Sequence, residues 1–143
     1  MTHDAPVGPV EALDRLLEAT ADGRVDELGD RLGLRLLGVF GSAARRDPDA
    51  ADLDVAVSFR GERHLLELID ALVQLTGFDR IDVAVLDAAD PVLRARALVG
   101  MGLFEDRSGE WATSQMAALA EERDTAWLRE LDRRALAGEP LDR

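Results

Sequence analysis

The chain of 143 residues contains no cysteine and no lysine. Without cysteine there is no disulfide framework, no thiolate metal site and no cysteine nucleophile. Without lysine there is no Schiff-base chemistry and no P-loop, whose signature ends on Lys. All seventeen basic residues are arginine, so a bound phosphate must be held by backbone amides, arginine or a metal. Positive charge is scarce altogether: seventeen basic against twenty-nine acidic side chains leave a formal charge of −12. Nucleic-acid binders carry the opposite, a basic stripe, so nucleic acid is not expected as a direct substrate. No apolar run approaches the length of a membrane span, and the opening MTHDAPVGPV has neither the basic region nor the apolar core of a signal peptide. The expectation is a cytoplasmic protein of one domain, long enough to bury a core without covalent staples.

Periodicity divides the chain into alternating helices and strands. Residues 1–8 read as a flexible tail, and Pro9 opens a helix over 9–22 on the apolar positions Val10, Leu13, Leu16 and Leu17. A second, shorter helix follows on Val25, Leu28 and Leu32, ending at Gly33. Leu34–Gly41 and Asp52–Phe59 are short apolar runs bounded by turn residues, which suits buried strands. Glu62–Thr76 carries a wide amphipathic stripe closed by Gly77. Arg80–Leu86 reads as a third strand, Pro91–Leu98 as a short helix, and Met101–Phe104 as a fourth strand. Trp111–Ala137 forms a long last helix, with Met116, Leu119, Trp127 and Leu131 as expected contacts and Gly138 and Pro140 as terminators. Strands interleaved with helices define an α/β (α+β) domain over 9–143.

The chemistry concentrates in LLGVFGSAARRDPDAADLDVAVSF, Leu36–Phe59. Strand alternation puts Asp52 and Asp54 on one side of the sheet, with Leu53 turned away. An Asp-x-Asp pair in so acidic a chain is ordinarily a pair of solvated strand-start residues. Here, however, the pair follows a Gly-Ser that leaves an apolar strand, and the third strand offers Asp82 in a matching frame. Carboxylates converging at strand ends repel one another, and burial adds to the cost unless a cation neutralises them. Hard oxygen ligands suit Mg²⁺, which shares its coordination with substrate phosphates. Gly41 lets backbone approach an anion, and Ser42 adds a hydroxyl and an N–H at the start of a short helix. The expected ligand is a metal–nucleotide.

The string GSAARRDPDAADLDVAVSF resembles the G-S-x(n)-D-x-D signature of the nucleotidyltransferase superfamily that includes DNA polymerase beta. The later IDVAVLDAADPVLRARALVGMGLFED and the ending DTAWLRELDRR are similar to the minimal nucleotidyltransferase (MNT) group. The resemblance covers roughly Leu34 to Arg134. It implies a mixed sheet flanked by helices, Gly41 and Ser42 as the phosphate-binding pair, Asp52 and Asp54 as metal ligands and Asp82 as the third carboxylate. Arg45 matches the arginine of the G-S-x-A-R string, where it either reaches a phosphate or braces the loop. The chain departs from the pattern at Arg46, a position that is often Gly, and at Ala51, which replaces a frequent Ser.

Many MNT proteins are antitoxins of HEPN-domain ribonuclease toxins, some transferring AMP from ATP to a toxin tyrosine. The R-x(4-6)-H motif of the toxins is missing, since only three residues separate Arg60 from His64, which puts this chain on the antitoxin side. The implied activity is therefore a Mg²⁺-dependent adenylyltransferase with a HEPN partner, in a homo- or hetero-oligomer. Two alternatives stand beside it, an antitoxin acting by binding alone and a nucleotidyltransferase acting on an aminoglycoside-type small molecule. Bland roles suffice elsewhere: Trp111 and Trp127 as packing or interface residues, Asp87 and Asp90 as turn and cap residues, and Glu121–Asp124 as a solvated face.

Overall fold

The computed structural model describes residues 6–138; residues 1–5 of the expected tail and the terminator Pro140 lie outside the described residues. Helix α1 spans Pro9–Ala21 and α2 Arg24–Leu32. Strand β1 (Leu34–Phe40) runs into a four-residue helix, α3 (Gly41–Ala44), and a loop leads to β2 (Leu53–Phe59). Helix α4 (Leu65–Thr76), β3 (Ile81–Val85), a single 3₁₀ turn (Leu86–Ala88), α5 (Pro91–Leu98), β4 (Met101–Glu105) and α6 (Glu110–Leu136) complete the chain. The sheet order is β3-β2-β1-β4. β1 is antiparallel to β2 and β4, and β2 is parallel to β3 through the α4 crossover. This is the mixed sheet flanked by helices that the sequence implies.

Alternation along the strands builds two cores. Leu53, Val55, Val57 and Phe59 of β2 join Leu13, Leu16, Leu28, Leu68 and Leu72 on the face covered by α1, α2 and α4. Ala56, with Leu36 and Phe40 of β1, faces Ala97, Leu98 and Ala118 beneath α5 and α6. Because both faces are covered, β2 is buried from Val55 to Phe59, as expected of an interior strand. A register shift between Leu34 and Leu36 lets both Leu34 and Leu37 reach the first core.

The second layer is fixed by polar contacts and by one indole. Arg35 donates from Nε to Ser58 Oγ at 3.0 Å and from Nη1 to Glu110 Oε1 at 2.7 Å, and Ser58 Oγ donates to Asp87 Oδ1 at 2.9 Å. Asp87 is thus a fixed acceptor for the buried Ser58 rather than a simple turn residue. Asp90 does cap α5, accepting from Leu93 N at 2.9 Å. Trp111 lies over the cross-strand pair Gly38 and Gly102; a side chain on either glycine would run into the ring.

Two expectations need correcting. Helix α4 begins at Leu65 rather than Glu62, because the residues after β2 are spent on the turn that brings the chain back. On α6, Met116, Leu119 and Trp127 are 71%, 44% and 58% exposed, whereas Ala118 is 2% exposed. Past Trp111 at its start, the helix approaches its neighbours through small residues, Leu131 is half-buried, and Met116, Leu119 and Trp127 fall on its outward side. Among the described residues no helix is long and apolar enough to cross a membrane.

Candidate active site

At one end of the sheet the strand termini gather the residues singled out above. Asp54 is the second residue of β2, paired across the sheet with Phe40 of β1 and with Asp82 of β3. Neighbouring strands lie about 4.8 Å apart, so Asp54 and Asp82 stand side by side on one face. Asp52 comes one residue before the strand, in an exposed bend, which places it beside the pair rather than in the ladder. Leu53 between them is fully buried in the first core. That buried leucine is the anchor that turns both flanking aspartates outward.

Gly41 follows directly on β1, and its φ of +75° is a conformation that L side chains rarely adopt. A Cβ built there would meet Asp54 Oδ2. Gly41 therefore serves two purposes, turning the chain from strand into α3 and leaving room for the Asp54 carboxylate against the backbone. Ser42 is half-buried at the next position.

The electrostatics agree with crowding of like charge. The Asp54 carboxyl is raised above the usual aspartate range by its partial burial first, then by the negative charges of Asp82 and Asp52, with Arg45 acting in the opposite direction. A site of this kind favours a cation. Among the described residues no group of three or more histidine, cysteine or carboxylate side chains is gathered closely enough to hold a metal ion. The donor chemistry of Asp52, Asp54 and Asp82, all carboxylate oxygen, matches Mg²⁺.

The loop between α3 and β2 is held by its own bonds. Asp47 N donates to the Ser42 carbonyl at 3.0 Å, Ala50 N to the Asp47 carbonyl at 3.1 Å, and Leu53 N to the Arg80 carbonyl at 3.0 Å. Arg46 has a φ of +61°, the one non-glycine in that region among the described residues. The position that is often Gly in MNT proteins is thus one where the backbone favours glycine. The Arg46 side chain ties the loop to α1 by donating to Asp14 Oδ1 at 2.7 Å. Arg46 thus braces the loop, and the charge of Arg45 is near enough to act on the Asp54 carboxyl. Arg96, to which the sequence pattern assigns no role, comes near from the other side, sharing a cleft with Gly41 and Arg45. No spacing rule signals it, because the packing of α5 onto β1 brings it there.

The sheet, its flanking helices and the long last helix make this a nucleotidyltransferase fold. The fold is shared with chains of solved toxin–antitoxin structures. One, a crystal structure of a toxin–antitoxin with AMP-PNP, matches at a TM-score of 0.63 and 16% identity over 81% of this chain and 98% of that chain. Another, the tri-AMPylated Shewanella oneidensis HEPN toxin in complex with MNT antitoxin, matches at 0.60 and 17% over 84% of this chain and 98% of that one. The toxin–antitoxin MntA-HepT matches at 0.59 and 17% with the same coverage. No protein-family model and no curated protein matches the sequence. At these identities the common property is the architecture, and the likeness to the MNT group holds at that level.

Proposed function

We propose that the protein is an MNT-type antitoxin, a single catalytic domain that transfers AMP from ATP to a hydroxyl, specifically a tyrosine of a HEPN ribonuclease toxin. The observation that carries this reading is the placement of Asp54 between Gly41 and Asp82 at the strand ends, a carboxylate cluster beside a backbone turn that can approach a phosphate. Asp52, Asp54 and Asp82 would hold Mg²⁺, which when bound supplies neutralisation of the triphosphate charge. Asp82, more exposed than Asp54, accepts the proton of the attacking hydroxyl. The hydroxyl oxygen forms a bond to the α-phosphorus while the bond from that phosphorus to the bridging oxygen breaks, and pyrophosphate leaves. Gly41 and Ser42 contact the phosphates, and Arg45 offsets their charge. The fold neighbours named above include a toxin–antitoxin bound to AMP-PNP and an AMPylated HEPN toxin, which supports both the nucleotide and the acceptor.

The test is a thermal melt with and without Mg²⁺ and ATP. Ligand at about 100 times its Kd stabilises a folded protein by about 2.7 kcal/mol. Asp52→Asn with Asp54→Asn is expected to abolish the metal-dependent shift and leave the ligand-free fold intact. An undiminished shift in the double variant contradicts the site.

A further inference from the structure

Among the described residues the sheet ends on β3 and β4, and these two edges differ. On β4 the ladder slips between Leu37 and Gly38, and Gly102 sits in mid-strand, irregularities that blunt an edge against further pairing. β3 has neither. Its residues Ile81 to Val85 pair with Leu53 to Val57 in unbroken register, and the sequence IDVAV holds no proline or glycine and only one charge, Asp82. None of its residues is fully buried, whereas β2 is buried from Val55 to Phe59.

The ladder fixes which backbone groups of β3 are left over. Leu53 N donates to the Arg80 carbonyl at 3.0 Å, and Leu53 stands opposite Ile81. In a parallel pair this turns the N–H and C=O groups of Asp82 and Ala84 toward β2 and those of Ile81, Val83 and Val85 away from it. Side chains alternate across the sheet instead: Ile81, Val83 and Val85 pack against the first core and Ala84 against the second, so Asp82 stands on the second face with Ala84. A straight edge with unpaired main-chain groups is a template for a further strand. A strand laid there sets one residue beside Asp82, about 4.8 Å away and with its side chain on the same face. Its diagonal neighbours on that face lie within reach of an aromatic side chain.

We infer that the β3 edge is the acceptor dock: the segment that carries the hydroxyl binds extended, as a fifth strand on β3, and presents its hydroxyl side chain to Asp82. The occupant is polypeptide, because the edge offers main-chain donors and acceptors at the repeat of a strand, which a sugar-like small molecule does not match. Its role as acceptor rests on the nucleotidyl-transfer reading; strand addition does not. The test follows amide hydrogen exchange by NMR in the full chain, alone and in complex with a HEPN toxin. Alone, the Val83 and Val85 amides are expected to exchange faster than those of Asp82 and Ala84, and in the complex to slow by at least about tenfold. Val83→Pro removes an outward N–H and no bond to β2. It is expected to lower AMP transfer at limiting toxin about 3- to 10-fold, with an unchanged Mg²⁺–ATP melting shift to show that the fold and the nucleotide site are intact. If that variant does not fold, the exchange measurement decides by itself. The dock is overturned if the Val83 and Val85 amides stay as open in the complex as in the free protein, or if folded Val83→Pro transfers AMP like wild type. Protection without AMP transfer by the wild type keeps strand addition and overturns nucleotidyl transfer. Transfer without protection overturns the dock alone, and absence of both overturns both.

Discussion

Replacing Gly41 by Ala separates the backbone role of this residue from its role beside Asp54. The φ of +75° at Gly41 and of +65° at Gly33 place both in the left-handed region, where an L side chain costs about 1–2 kcal/mol. They differ in surroundings. Nothing lies within 4 Å of a Cβ at Gly33, whereas one at Gly41 meets Asp54 Oδ2, with Cγ at 3.2 Å and Cβ at 3.5 Å. The carboxylate oxygen and, less severely, its carbon are in the way, and rotation of the Asp54 side chain removes the clash. Gly41→Ala and Gly33→Ala are therefore expected to lose similar stability, each about 1–2 kcal/mol, or roughly 3–7 °C for a domain of this size. Nucleotide binding should distinguish them. A displaced ligand carboxylate costs at least about tenfold in affinity, which lowers the Mg²⁺–ATP stabilisation from about 2.7 to about 1.4 kcal/mol at the ligand concentration given above. Thermal melts of both variants with and without Mg²⁺ and ATP measure both quantities. A wild-type ligand shift in Gly41→Ala, or an equal loss of it in Gly33→Ala, refutes the reasoning.

Asp54→Asn is expected to stabilise the ligand-free protein. The folded carboxyl titrates above the usual range, through burial and then Asp82 and Asp52, so wild-type stability falls as pH rises from the ordinary aspartate range through the folded value. The gain from Asn, at most about 1 kcal/mol after allowance for solvent screening, should be present at neutral pH and vanish in acid; denaturant melts across pH check this, and a variant less stable at pH 7 contradicts it. Trp111→Ala removes the indole that covers Gly38 and Gly102 and is expected to cost about 2–4 kcal/mol. Trp127→Ala, on the exposed side of α6, should stay within about 0.5 kcal/mol of wild type by urea titration; equal effects from the two would contradict the packing described.

What could be read from the sequence was whatever depends on local pattern. The strands surface because Leu53, Val55 and Val57 alternate, and the helix ends because Gly33 and Gly77 supply left-handed caps. Asp90 announces α5 through its capping position ahead of Pro91. The juxtaposition of Asp54 with Asp82 follows from two strand starts brought into parallel register by α4, and matching frames on β2 and β3 are enough to anticipate it. What was not legible depends on partners distant in sequence. The role of Asp87 requires Ser58 and Arg35 to arrive from other strands. The outward turn of Met116 and Trp127 follows from α6 packing through alanine, which hydrophobicity alone does not foretell. Asp52 and Asp54 are separated by a strand boundary that the alternation does not mark, and Arg96 reaches the site edge through the packing of α5 onto β1.

The most direct measurement is intact-mass spectrometry of a HEPN toxin incubated with the protein, ATP and Mg²⁺, comparing wild type with Asp82→Asn. The wild type is expected to add AMP units to toxin tyrosine. Because Asp82 is assigned to the proton of the attacking hydroxyl, Asp82→Asn should slow transfer by about 10²–10⁴, far more than it lowers ATP affinity. No added mass from the wild type, in a tight complex whose ribonuclease is silenced, would contradict enzymatic transfer in favour of neutralisation by binding, and equal mass gain from Asp82→Asn would contradict the role given to that carboxylate.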